Sequence, residues 1–185
     1  MTARKRLTKK DVVDAAVALV QAEGTSALTL SRVAAALGIK PPSLYNHISG
    51  LDALRRDVAL RGAEELGQRL GAAAMGRAGR TALHAIAAEV RSYASNHPGL
   101  YELSAQARPD DGPFTEAAMR TIEPVLAILR GYNLHADDAI HAARTLRAAF
   151  HGFVSLERMG GFGLDVDVDA SFDWLVERLA DSLEG

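Results

Sequence analysis

TLSRVAAALGIKPPSLYNHISGLD, running from Thr29 to Asp52, is the stretch on which the fold turns. Leu30, Val33, Ala34 and Leu37 repeat at helical spacing behind a threonine suited to capping a helix N-terminus. Gly38 stops that helix, because a glycine takes the positive φ that a sharp turn demands, and Ile39 follows as an apolar plug. Pro41 and Pro42 cannot continue a helix but readily begin one, since their missing N–H falls where a first-turn donor is orphaned anyway. A second short helix is therefore expected from about Pro42. Two short helices joined by a glycine turn, with the small Ala34 at their crossing, make a helix-turn-helix.

The second helix has two different sides. Leu44 and Ile48, four apart, face the first helix. Ser43, Tyr45, Asn46 and His47 are left outside, where hydroxyl, amide and imidazole groups can serve phosphate oxygens or base edges. An ordinary helical hairpin with a solvated polar face has the same pattern, so the surroundings must decide between the two.

Glu23-Gly24, Leu28-Thr29, Val33-Ala34, Leu37-Gly38-Ile39 and Ser43 to Ile48 together resemble the DNA-binding domain of the TetR family of bacterial transcriptional regulators. The resemblance covers about the first third of the chain. It implies that Thr29, Tyr45 and His47 hold phosphates. Lys40, Pro41, Pro42, Ser43 and Asn46 are then placed for bases, with Ser31 as an additional contact. The chain departs from the family at Ile48, where an aromatic residue is common, and at Leu51, where a phosphate-holding lysine is common.

Charge supports a polyanion at one end. The net charge is −2, yet residues 1–61 hold ten Lys or Arg against five Asp or Glu, and all four lysines lie in the first forty positions. A basic head on an acidic body suits a nucleic acid partner for the head alone. The 185 residues are rich in Ala and Leu and poor in β-branched runs, with 5% aromatics, which predicts an all-α protein with a real core. With no cysteine, neither a disulfide framework nor a thiolate metal site is possible. The basic start lacks an apolar signal region, and no stretch reaches the ~18 uninterrupted apolar residues of a membrane span. A cytoplasmic protein without membrane association is expected.

Around the central stretch, Thr8-Lys9-Lys10-Asp11 reads as a capping box opening a helix to about Ala22, preceded by a basic arm, Arg4-Lys5-Arg6. A helix from Leu51 to about Leu70 follows, ended by the small-residue break Gly71 to Gly79. The expected division is 1–55, a three-helix DNA-binding domain, and 56–185, a helical bundle for effector binding and dimerisation. Further helices are expected over Thr81–Asn96, Leu100–Ala107, Phe114–Leu129 with a kink or break at Pro124, Ala136–Met159 and Asp169–Leu183.

The last two helices carry wide apolar faces, so a second copy is expected to pair with them through Leu146, Phe153, Val154, Phe172, Leu175 and Leu179. Completion of a single protomer's core by the same residues stays open. Phe150-His151-Gly152-Phe153, with Gly160 to Gly163 and Ser171-Phe172-Asp173, resembles the C-terminal half of a TetR subgroup carrying a tryptophan-or-phenylalanine, histidine, glycine motif. That resemblance implies a dimerising body with an effector pocket. Tyr93, Tyr101, Met119, Phe150 and His151 are the candidate lining, suited to a small, largely apolar molecule.

Other chemistries fail on their residues. Asp165, Asp167 and Asp169 alternate like a calcium loop, but Ala170 and Val176 stand where glycine and glutamate are required; Asp169 is instead expected to cap the last helix. His135, Asp138 and His141 spread roughly 240° around an ideal helix and share no face for a metal. No nucleophile elbow or zinc-protease motif occurs, so no catalytic site, metal or cofactor is expected. The sequence thus predicts a homodimeric regulator on a near-palindromic duplex operator, a repressor released by an effector. The alternative is an architectural or constitutive DNA-binding factor without one.

Overall fold

Thr8 starts the first helix as the sequence requires. In this computed structural model, which describes residues 6–106 and 110–184, α1 spans Lys9–Glu23 behind a complete capping box. The Thr8 N–H donates to Asp11 Oδ2 at 2.9 Å, and the Asp11 N–H returns to Thr8 Oγ1 at 3.2 Å. Arg4 and Lys5 of the basic arm lie outside the described residues. Gly24, at φ +84°, ends α1 and leads into a 3₁₀ turn, Thr25–Ala27.

The remaining elements are α2 (Leu30–Ala36), a 3₁₀ segment (Pro41–Asn46), α3 (Leu51–Ala74), α4 (Gly79–Asn96), α5 (Pro98–Ser104), α6 (Gly112–Gly131), α7 (Ala136–Arg158) and α8 (Val168–Glu184). The chain is all-α. Several boundaries differ from expectation by a few residues, two of them for plain local reasons. Three alanines of high helix propensity carry α3 past Gly71 to Ala74. Asp167, rather than Asp169, caps α8: its Oδ1 accepts the Asp169 N–H at 2.9 Å, and its C=O accepts the Ser171 N–H at 3.1 Å. At Pro124, α6 continues without a break.

The chain divides into two compact units, Met1–Ala63 with His97–Pro109, and Glu64–Asn96 with Asp110–Gly185. This differs from a single boundary at residue 55. The cut falls within α3, and α5, although it follows α4 in sequence, packs into the first unit.

In the first unit Val12, Ala16 and Val20 of α1, Val33 and Ala34 of α2, Leu44, and Leu54 and Val58 of α3 are all fully buried. Each large side chain among them contributes about 1.5–3 kcal/mol by leaving water. The nest for α5 depends on two glycines. A Cβ on Gly99 would lie 2.4 Å from Val20 Cγ1, and one on Gly62 would lie 2.9 Å from the Leu100 carbonyl oxygen. Gln21 and His97 Nδ1 are hydrogen-bonded at 2.9 Å, and the Thr25 hydroxyl donates to Glu102 at 3.1 Å.

The second unit is built on Leu83 and Ala87 of α4, Leu129 of α6, Ala139, Ala143, Leu146 and Phe150 of α7, and Phe172, Val176 and Ala180 of α8. Arg91 ties one end of it. Its guanidinium bonds Glu157 near the end of α7, lies 2.7 Å from Asp169 at the start of α8, and stands 4.9 Å from the centre of the Phe172 ring. Those carboxylates hold the Arg91 pKa well above its ordinary range.

Candidate nucleic-acid interface

Local backbone chemistry positions the polar row of the first unit. Thr29 caps α2, its side chain accepting the Arg32 N–H at 3.3 Å. The helix closes in a Schellman motif. The Ile39 N–H reaches the Ala34 carbonyl at 3.0 Å, and the N–H of Gly38, at φ +65°, reaches the Ala35 carbonyl at 3.1 Å. The turn therefore has one geometry, and it delivers Lys40 in extended conformation to the next element.

That element is a 3₁₀ segment rather than the expected α-helix, and it begins at Pro41. Short 3₁₀ runs of this kind are common as connectors. The Ser43 N–H reaches only the Lys40 carbonyl, at 2.9 Å, and the His47 N–H the Leu44 carbonyl, at 2.8 Å; an α-type bond occurs at Ile48 to Leu44, at 3.0 Å. Leu44 and Ile48 are buried at 0% and 5% exposure, which pins the segment against the unit's core. Lys40, Pro41, Pro42, Ser43, Tyr45 and Asn46 are all exposed, as are Thr29 and Ser31, while His47 is half-buried. Eight of the nine predicted contact residues thus offer their polar or apolar surface to solvent from one turn and its flanking cap.

Such a row can take phosphate and base contacts without breaking internal bonds. Lys40 has no ion-pair partner among the described residues, whereas Arg32 is engaged by Glu23. Three further basic residues of this unit, Lys9, Lys10 and Arg55, are already engaged. Lys9 and Lys10 are tied to Asp57 and Asp14, and Arg55 stands 3.9 Å from Asp52.

The residues expected to line an effector pocket differ in burial and in unit. Tyr93 is fully buried, its hydroxyl driven up in pKa by burial and by the Glu65 charge. Phe150 belongs to the second unit's core, and Tyr101 is buried in the first unit. Met119 and His151 are exposed. His151 follows Phe150 by one residue, about 100° around the helix, so burying the phenylalanine turns the histidine outward. The residues expected at the dimer contact divide by their burial within the protomer. Leu146, Val154 and Phe172 are at most 3% exposed within the protomer, and Phe153, Leu175 and Leu179 pack partly buried against its core. Exposed instead on α7, α8 and their connector are Leu156, Met159, Leu164, Val166 and Trp174.

An open groove of about 470 Å³ runs along α4 in the second unit. It is lined by His84, Ala88, Arg91, Ser92, Ser95, Glu157, Phe172, Asp173 and Val176. None of these was singled out as a pocket residue from sequence, because they come from three helices far apart in the chain.

A capped helix, a Schellman turn and a solvent-facing polar row anchored by two buried side chains define a helix-turn-helix DNA-binding protein. Comparisons with known proteins agree. The profile described as bacterial regulatory proteins, tetR family, matches residues 12–58, and that of the tetracyclin repressor-like C-terminal domain matches residues 83–179. The chain belongs to the TetR family of transcriptional regulators. An uncharacterized HTH-type transcriptional regulator of Mycobacterium tuberculosis is 39% identical over 183 residues, 97% of this chain and 83% of that protein. The uncharacterized HTH-type transcriptional regulator YobS of Bacillus subtilis is 32% identical, covering 99% and 96%. A protein of unknown function from Rhodococcus sp. RHA1 shares the fold, with a TM-score of 0.82 at 20% identity over the whole of both chains. TetR-family regulators bind DNA and act as dimers. Among the described residues no helix is long and apolar enough to cross a membrane.

Proposed function

We propose that this chain is a homodimeric repressor of the bacterial cytoplasm that binds a near-palindromic operator and leaves it when a small, largely apolar effector binds. The observation that carries the reading is the exposed row Lys40 to Asn46 held rigidly over buried Leu44 and Ile48. Each protomer inserts this row in a major groove, and two-fold symmetry then requires half-sites about one or more turns of ~34 Å apart. Thr29, Tyr45 and His47 meet phosphates and set register. Lys40 and Asn46 read base edges, worth about 1–3 kcal/mol each where bidentate, with Ser31, Pro41, Pro42 and Ser43 adding shape and polar contact.

Dimerisation uses the α7 and α8 surface that carries Leu156, Met159 and Trp174, whose exposure in the protomer is otherwise unfavourable. The effector releases DNA by favouring the dimer form that cannot reach both half-sites. Moving that population from 1:99 to 99:1 takes about 5.5 kcal/mol of differential affinity.

Selection of bound sequences from a random duplex pool at ~0.15 M salt tests the reading. The expected product is an inverted repeat. Retention of DNA with no enriched sequence would replace it with an architectural factor, whose affinity is dominated by phosphate contacts and falls steeply with salt.

A further inference from the structure

The groove along α4 has a built charge pattern that selects its occupant. Its apolar lining is the exposed Ala88 with the edges of buried Phe172 and Val176, and its cationic group, Arg91, is already satisfied. Arg91 is shared between Glu157 and Asp169 and lies against the Phe172 ring. An anionic ligand would have to displace one of those carboxylates. It would also meet Asp173, an exposed groove carboxylate with no ion pair or hydrogen bond among the described residues. The remaining nearby carboxylate, Glu177, is held by Arg80 and faces His84 Nε2 at 2.8 Å. Asp173 is thus the groove carboxylate left without a protein partner among the described residues, next to the apolar lining, and a volume of about 470 Å³ is within the range of small-molecule sites.

We infer that this groove binds a small amphipathic organic cation, its apolar body on Ala88, Phe172 and Val176 and its ammonium group at Asp173. The inference names a site and charge class for the proposed effector, and rests on that effector reading only for its consequence on DNA. Ser92 and Ser95 line the same groove and can accept a hydrogen bond from the ammonium group.

The test is calorimetric titration of the full-length protein, free of DNA, with three probes of one shape: 4-phenylbutylamine, 4-phenylbutanol and 4-phenylbutanoate. The amine is expected to bind at least fivefold more tightly than the alcohol, with the carboxylate weakest. Asp173→Asn, at an exposed position that does not carry the fold, is expected to abolish the preference of amine over alcohol. Ala88→Phe puts a ring into the groove and should weaken all binding by tenfold or more. Equal affinities for amine and alcohol, an Asp173→Asn variant that still prefers the amine, or absence of amine binding each overturn the proposal. Operator release is measured separately. Amine binding that leaves DNA affinity unchanged supports the groove and removes its link to the effector reading, whereas release of operator by other compounds with no amine binding overturns the groove alone.

Discussion

Asp57 lies 2.7 Å from Lys9, joining the first turn of α1 to the middle of the first unit's share of α3. At 7% exposure it is the one buried charged residue among those described, and Arg56 also reaches it at 2.9 Å. One turn further along α3, Arg61 meets Asp14 of α1 at 3.1 Å, so the two helices are paired twice. Asp57→Asn keeps the shape and removes the charge. It should lower stability by about 1–2 kcal/mol in urea melts, discounted from a fully buried pair because Lys9 is mostly exposed. Lys10→Ala removes only an exposed pair with Asp14 and should stay within about 0.5 kcal/mol of the parent.

The nesting of α5 against α1 gives a sharper test of packing. Gly99→Ala places a methyl 2.4 Å from Val20 Cγ1 and 3.0 Å from the Val20 carbonyl oxygen. Val20 is a β-branched residue within a helix and has little freedom to rotate away. The substitution should cost about 1–3 kcal/mol. Combined with Val20→Ala it should cost clearly less than the two changes summed, since the second relieves the overlap created by the first. Additive costs in a double-mutant cycle would show that the approach is not limiting.

What the sequence made legible was what local chemistry decides. The Thr8 capping box, the Gly38 stop and the docking of Leu44 and Ile48 depend on residues within a few positions of one another, and each was read correctly. The membership of α5 in the first unit was not legible, because it depends on Gly62 and Gly99 tolerating close approach from remote elements. The choice between Asp167 and Asp169 as the α8 cap was undecidable from an alternating row of aspartates; Arg91, 78 residues before Asp169, engages the second of them. Tyr93 and Phe150, expected in a pocket, are buried side chains, and large aromatics at helical spacing suit a core as well as a lining.

Base readout is tested by changing single members of the exposed row. Lys40→Ala should weaken operator binding and flatten preference at one base position in each half-site, because the lysine approaches from the turn without an internal partner. Asn46→Ala should flatten a different position. Tyr45→Phe, if the hydroxyl serves a phosphate, should reduce affinity for all sequences alike. These outcomes are separable in one experiment, affinity across a library of single-base operator variants at fixed salt. An unchanged preference with Lys40→Ala would reassign that residue to the backbone.

Arg80 binds three carboxylates of α8: Glu177, Asp181 at 2.8 Å and Glu184 at 2.7 Å. Its hydrogen bonds are the leading cause that holds the Glu177 and Asp181 carboxyls below their ordinary pKa values. A depressed folded-state pKa stabilises the fold at pH above the unfolded carboxylate range, about 4, and this contribution is lost as pH falls through the folded values. Arg80→Met should therefore lower the melting temperature at pH 7. The gap from the parent should close as pH is taken from 5 towards 3, in melts followed by circular dichroism. A gap independent of pH would mean that Arg80 acts by packing its alkyl stem rather than by charge.

The last prediction separates a residue that builds the protomer from one that joins two copies. Leu146 is 3% exposed among the α4, α6 and α8 side chains of the second unit's core, whereas Trp174 is 65% exposed and Leu156 46%. Leu146→Ala leaves a cavity and should cost about 2–5 kcal/mol of protomer stability. Leu156→Glu and Trp174→Glu remove no internal packing of that kind, but place charges on the surface that a second copy must cover. Together they should convert dimer to monomer in sedimentation equilibrium while leaving helical content unchanged, and they should weaken binding to an inverted repeat far more than to a single half-site. If the double variant remains dimeric, the contact between copies lies elsewhere on the second unit, and the exposed residues of α7 and α8 are free for another partner.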